Sequence, residues 1–189
     1  MNSVQSNKPI IFWLFINCLM IIAMVIIGGI TRLTESGLSM VDWNLFSGVI
    51  PPLNEDQWQK LFEMYKLYPE YNLINYDMNL SEFKSIYFWE YFHRIWGRLI
   101  GLTFFVPFLY FLIIRKISKK LLTFLSIALS LGIFQAFMGW YMVKSGLIDK
   151  PDVSQYRLAA HLSTAFLIYV ILLFLTWNQY RVGYNLTNK

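Results

Sequence analysis

Apolar residues along this chain gather into four long blocks rather than recurring on one face of shorter amphipathic segments. The blocks run over residues 10–30, 86–114, 121–143 and 158–177. Each supplies about the 20 apolar residues that a tilted helix needs to cross roughly 30 Å of hydrocarbon. In lipid a backbone has to satisfy its own hydrogen bonds, so the blocks predict helices rather than strands. The pattern therefore predicts an all-α membrane protein, a bundle of four transmembrane helices forming one domain over residues 1–189. The second block is the least apolar, and its polar residues cluster at its start.

Between the first two blocks lies a segment of a different kind. Residues 31–85 are too many for a simple connection, which predicts a structured or functional loop. Gly37, Gly48, Pro51 and Pro52 punctuate turns around Trp43. The stretch from Asn54 to Tyr65 reads as a short helix, with Asn54 as N-cap and Gln57 three residues on. Trp58, Leu61, Phe62 and Tyr65 share one face of it, an aromatic density that suits a helix lying along a membrane interface. Such a loop either caps a pocket or simply packs over the bundle.

Composition agrees with the pattern. The 189 residues are 57% apolar and 14% charged, where a soluble domain carries about a quarter charged residues. The net charge of +5 is unevenly placed. Arg115, Lys116, Lys119 and Lys120 crowd one short connection, and Arg181 and Lys189 follow the last block. Apart from Glu90, the acidic residues fall in the 31–85 and 144–156 connections. The positive-inside rule then places both termini and the 115–120 connection in the cytoplasm, or the matrix of a mitochondrion, and the long loop outside. The basic charge is thereby explained by topology, and no nucleic-acid partner is implied. The first block exceeds the core of a signal peptide and ends without a small-x-small cleavage site, so it reads as an uncleaved span. Cys18, the single cysteine, has no intramolecular partner and reads as a small apolar filler.

Chemistry enters with two histidines. His93 and His161 are the only ones in the chain, each about one turn inside a block, on helices that enter from the same side. Ionisable groups at membrane depth are costly and are functional candidates by default. Facing side chains on bundle helices build cofactor sites, and two histidines suit a heme with two axial ligands better than tetrahedral zinc. Glu90 and His93 share a face, and Arg94 is placed to pair with Glu90. Gly97 leaves a bare patch on the histidine's face where a flat macrocycle fits, although the Gly97–Gly101 spacing also suits close helix packing. Arg157, four residues before His161, is placed to reach a heme propionate, whereas Arg94 and Arg98 alternatively extend to head groups.

Several longer stretches resemble the heme A synthase family. They are Gly28-Gly29-Ile30-Thr31-Arg32-Leu33-Thr34-Glu35-Ser36-Gly37-Leu38-Ser39-Met40, Pro51-Pro52-Leu53, Phe88-Trp89-Glu90-Tyr91-Phe92-His93-Arg94-Ile95-Trp96-Gly97-Arg98, Gly139-Trp140-Tyr141-Met142-Val143-Lys144-Ser145-Gly146-Leu147 and Tyr156-Arg157-Leu158-Ala159-Ala160-His161-Leu162. The resemblance implies oxidation of a methyl group of heme O to the formyl group of heme A, for cytochrome oxidase assembly. It makes His93 and His161 the axial ligands of the substrate heme, Glu90 the catalytic carboxylate, and Arg94, Arg98 and Arg157 cofactor-binding residues. It also implies heme O synthase as heme donor and a bacterial cell membrane or the mitochondrial inner membrane as location. Family members of this kind usually have eight spans in two similar halves, with heme b in the second. Only the amino-terminal four-helix half is matched here, which implies as partner a missing carboxy-terminal half or a second copy. The loop lacks the cysteine pair of Gram-positive relatives, so the chain resembles the proteobacterial and mitochondrial branch. Two other readings compete: a bis-histidine membrane cytochrome that only transfers electrons, and an inactive heme-binding remnant. Glu90 separates the enzyme from the carrier, because electron transfer needs no carboxylate one turn from a ligand.

Overall fold

A computed structural model describes residues 8–41, 48–147 and 153–187. Six helices follow one another: α1 Lys8–Leu33, α2 Glu55–Lys66, α3 Pro69–Leu73, α4 Leu80–Ile113, α5 Lys119–Gly146 and α6 Gln155–Thr187. There is no strand among the described residues. Helices α1, α4, α5 and α6 are long and apolar enough to cross a membrane, and they coincide with the four predicted blocks. Trp43 and residues 148–152 lie outside the described residues.

Helix ends explain where the prediction stopped short. Helix α4 begins at Leu80, six residues before the apolar block, because Asn79 caps it. The Asn79 Oδ1 accepts from the Ser81 and Glu82 amides at 2.9 and 3.1 Å, and Glu82 Oε2 accepts from the Asn79 amide at 2.8 Å. This reciprocal capping box lets a polar turn join an apolar helix. At the other end, α1 and α4 stop alike. Glu35 and Arg115 take left-handed backbone angles (φ 51° and 55°), and the next amides reach back, Ser36 to Thr31 O and Lys116 to Phe111 O, both at 3.0 Å. Such closures are usually made by glycine.

The chain forms two compact units. The first, here the core unit, comprises Met1–Ala23, Arg98–Gln135 and Ser163–Lys189. Its interior is packed at helical spacing from each long helix: Ile10, Leu14, Cys18 and Ile21 of α1, Phe104, Phe108 and Phe111 of α4, Leu121, Leu125 and Ala128 of α5, and Leu172 and Leu175 of α6. Cys18 is thus the apolar filler expected. Between spanning helices lipid offers no hydrophobic driving force, so this interdigitation works through close packing.

One polar feature interrupts that core, and a proline accounts for it. Pro107 lies inside α4 and has no N–H, so the Thr103 carbonyl one turn earlier lacks its helical donor. Helix α1 supplies the replacement. Trp13 Nε1 donates to Thr103 O at 2.9 Å, and Asn17 Nδ2 reaches the same oxygen at 3.5 Å while donating to Trp13 O at 2.9 Å. Asn17 is fully buried, in keeping with this role.

The second unit, the loop unit, comprises Met24–Gly97 and Ala136–Leu162. Its core is aromatic: Phe62 and Tyr65 of α2 pack with Phe83 and Tyr87 of α4 and with Met40, and Trp58 meets Tyr87 edge-on with ring centres 5.0 Å apart. Asn54 caps α2 as predicted, its Oδ1 accepting from the Gln57 amide at 2.9 Å. The apolar face of α2 is turned onto α4 rather than left for a membrane interface. Trp58, Leu61, Phe62 and Tyr65 all enter or border the buried cluster.

The Pro107 arrangement gives an expected outcome. Trp13→Phe lowers thermal stability in detergent by about 1 kcal/mol, because a buried carbonyl loses its donor. In a Pro107→Ala background, where α4 supplies its own N–H to Thr103 O, the same substitution costs less. Equal losses in both backgrounds would overturn the account.

Candidate functional site: a buried carboxylate and two histidines

Glu90 is 3% exposed and its carboxylate is fully engaged. The Ser39 hydroxyl donates to Oε2 at 2.7 Å and the Met40 amide donates to the same oxygen at 2.6 Å. Arg94, one turn on, forms an ion pair with Oε1 and also donates to the Met40 carbonyl at 3.0 Å. The segment after α1 is thereby tied to α4 through one carboxylate. Local structure prepares this tie. Thr31 Oγ1 donates to Ile27 O at 3.0 Å and lies 3.4 Å from Trp89 O, which draws the end of α1 to α4. The left-handed turn at Glu35 then brings Ser36, Leu38, Ser39 and Met40 back inside, where all four are buried.

His93 lies on the same helix, one turn beyond Glu90, and is half-buried. Its ring rests against α1 at Gly28. A Cβ there would stand 3.3 Å from Nε2 and 3.6 Å from Cδ2, so any larger residue presses on the imidazole ring. His161 on α6 has a matching neighbour in α5, where a Cβ on Gly139 would stand 3.7 Å from Cε1. The two imidazoles are near enough to act on each other electrostatically. Each histidine thus lies on a glycine of the adjoining spanning helix, and both belong to the loop unit. Among the described residues no group of three or more His, Cys, Asp or Glu is placed to hold a metal ion. This donor set fits a metal whose remaining ligands come with it, as a macrocycle provides.

The predicted arginines are placed differently from one another. Arg94 is committed to Glu90 and the Met40 carbonyl. Arg157 hydrogen-bonds the Ser145 hydroxyl, and its guanidinium lies over the Tyr141 ring, 4.4 Å from the ring centre. It therefore bridges α5 and α6 at the same end as His161. Arg98 falls in the core unit, whereas the other candidates fall in the loop unit. The bare patch expected over Gly97 is filled, because the Met24 methyl would stand 3.4 Å from a Cβ there. At Gly97, helix packing is the use the structure makes of the missing side chain.

Several residues of the site carry no signal in periodicity or spacing. Ser39 and the Met40 amide reach Glu90 across 50 residues of sequence, and Gly28 and Gly139 matter only through a histidine on another helix. Glu70, on the short α3, is a second buried carboxyl at 5% exposure. Burial pushes it up to about 8, the Tyr65 hydroxyl hydrogen-bonded to it opposes that rise, and Glu90 and Glu35 add to it.

Comparison with known proteins places this geometry. Residues 11–188 match the COX15-CtaA model, described as cytochrome oxidase assembly protein. A heme A synthase from Flavobacterium psychrophilum is 54% identical over 167 residues, covering 87% of this chain and 49% of that protein. One from Nitrosospira multiformis is 51% identical over 181 residues, covering 96% of this chain and 51% of that protein. One from Rhodospirillum centenum is 51% identical over 171 residues, covering 90% and 46%. No solved structure matches. The chain spans about half the length of the curated relatives it matches. With its family model matched over nearly every residue, the chain belongs to the COX15-CtaA family of cytochrome oxidase assembly proteins.

Proposed function

We propose that this chain forms the substrate-heme site of a heme A synthase, holding heme O between His93 and His161 while a methyl group is oxidised to formyl. The observation that carries the reading is the pairing itself: the chain's two histidines lie together in one compact unit, each over a glycine. The relatives' name, heme A synthase, supports the substrate. Heme O bound here supplies both the methyl group and the iron through which electrons leave.

The residues divide the work by their surroundings. His93 and His161 are the residues that would hold the heme iron. Arg157, already at the end of α6 with a hydroxyl and an aromatic face for company, is the cation for a propionate. Arg94 acts through Glu90; Arg98, which falls in the core unit, is given no part in the loop unit's site. Glu90 is the catalytic carboxylate. Its oxygens accept from Arg94, Ser39 and the Met40 amide, so it acts as a fixed negative charge that stabilises positive charge developing at the methyl carbon. A water would supply the incoming oxygen; the four electrons removed from the methyl group would pass one at a time to a one-electron carrier, and the four protons released would pass to solvent water. An electron carrier alone has no use for that charge, which favours the enzyme over the cytochrome reading.

The same reading sets the surroundings. The 31–85 loop lies on the outside of a bacterial cell membrane or mitochondrial inner membrane, with both termini on the cytoplasmic or matrix side. Heme O synthase delivers the substrate. A second four-helix element, a carboxy-terminal half or a second copy, holds the heme b that passes electrons on.

Purified in detergent from cells that make heme O, the chain is expected to carry heme O or heme A, identified by chromatography and mass of the extracted heme. Heme b alone would defeat the synthase reading, and no heme would defeat any heme role. His93→Ala and His161→Ala each abolish the low-spin spectrum of a bis-histidine heme. Gly28→Val displaces the His93 ring and lowers heme content several-fold, whereas Gly28→Ala, needing a shift of a few tenths of an ångström, lowers it less. Glu90→Gln keeps the heme but cuts heme A formation by about 10²-fold or more; normal accumulation of heme A in that variant would refute the role given to Glu90.

A further inference from the structure

The loop unit contains two buried carboxyls in opposite situations. Glu90 has a guanidinium, a hydroxyl and an amide on its oxygens. Glu70 is also buried, yet its Oε2 has no hydrogen-bond partner among the described residues. The hydroxyl of Tyr65 is bound to the Glu70 carboxyl, and Asn75 Nδ2 donates to the Tyr65 oxygen at 2.8 Å. Because that oxygen already accepts from Asn75, the hydroxyl proton is turned towards Glu70. The titratable groups acting on Glu70 are Glu35 from the end of α1, Tyr65 from α2 and Glu90 from α4, with no cation among them. A buried carboxyl that lacks a cation and has two carboxylates as neighbours keeps its proton. An open oxygen on such a group is the place for a proton or a water.

We propose that Glu70 is the proton-holding carboxyl of this site: a neutral acid that releases its proton to water when the bound heme loses an electron, while Glu90 remains a fixed anion. The proposal rests on the heme reading above and adds the group that balances its charge. Losing an electron leaves one extra positive charge beside His93. Glu70 compensates by breaking its O–H bond and passing the proton to water, and the returning electron draws a proton back. The electron itself moves to and from a one-electron redox carrier. Glu90 is the link between the two events: it lies one turn before His93 on α4, and its charge raises the Glu70 carboxyl. When two carboxyls have such different partners, one ion-paired and the other without a cation, their roles separate in this way. Glu70 is thus a tuning residue rather than one that touches substrate.

The chain reconstituted in lipid nanodiscs tests this in two independent ways. Infrared difference spectra at neutral pH should show the C=O stretch of a protonated buried carboxyl, absent from Glu70→Gln and shifted but retained in Tyr65→Phe. With heme bound, the midpoint potential should fall as pH rises towards about 8, and this slope should flatten in Glu70→Gln while the heme spectrum is unchanged. A missing C=O band at neutral pH, or one that persists in Glu70→Gln, overturns the protonation claim whether or not heme is present. An unchanged slope in Glu70→Gln overturns the redox link. If no heme is retained, the heme reading and the redox link both fail, and the band alone decides the state of Glu70.

Thermal stability provides a further check. The folded protein holds the Glu70 proton up to about 8, while an unfolded glutamate releases it near 4.5, so the folded state binds more protons between these values. Its contribution to stability is therefore present below about 4.5 and is lost as pH rises to about 8. Glu70→Gln should remove that decline; the same decline in the variant would count against the assignment.

Discussion

The carboxylate of Glu90 is the point on which the loop unit depends. A charge this deeply buried is costly unless it is paired and hydrogen-bonded, and Arg94 alone would satisfy only part of it. The remaining capacity is met by Ser39 and by a main-chain amide, both on the segment that follows α1. Arg94 in turn donates to the Met40 carbonyl of that segment. The ion pair is therefore closed by the fold itself: if the segment moves away, a buried anion loses two donors. This explains why a chain stretch with no regular structure is buried at Ser36, Leu38, Ser39 and Met40. It also fixes α1 to α4 near the level where Gly28 meets His93.

Two different physical strategies hold the two units. In the core unit, side chains at helical spacing interlock, and the one helix defect, at Pro107, is repaired by an indole and an amide from α1. In the loop unit the contacts are aromatic and polar, made by short helices that have no core without α4. The first arrangement suits a scaffold, since nothing in it asks to change. The second gathers both histidines and the described acidic residues, and with them the capacity to respond to a charge.

Much of this was legible in the sequence, and the limits are instructive. The four spans could be read because lipid demands long apolar runs, and α2 because Asn54 and Gln57 announce its start. The start of α4 was hidden because its first turn is polar, and only the Asn79–Glu82 pair marks it. Helix α3, five residues long, has no period to detect. In the site, the i and i+4 spacing made the Glu90–Arg94 pair predictable. Ser39, Gly28 and Gly139 were not, because their importance arises from residues on other elements. The aromatic face of α2 is legible in the sequence, but its burial against α4 is not, since amphipathicity reports that a face is buried and not what buries it.

Glu90 and Glu70 carry the argument one step further. They are chemically the same group in one compact unit, and the difference between them lies wholly in their partners. Arg94 sits one helical turn from Glu90 and is ion-paired with it, while Glu70 has among the described residues a phenol, an open oxygen and the charges of Glu35 and Glu90 acting on it. A fold that needed both as anions would set a cation beside each. Pairing the cation with one of two buried carboxyls leaves an ion pair and a protonated acid, an arrangement able to hold one charge still while letting a proton move.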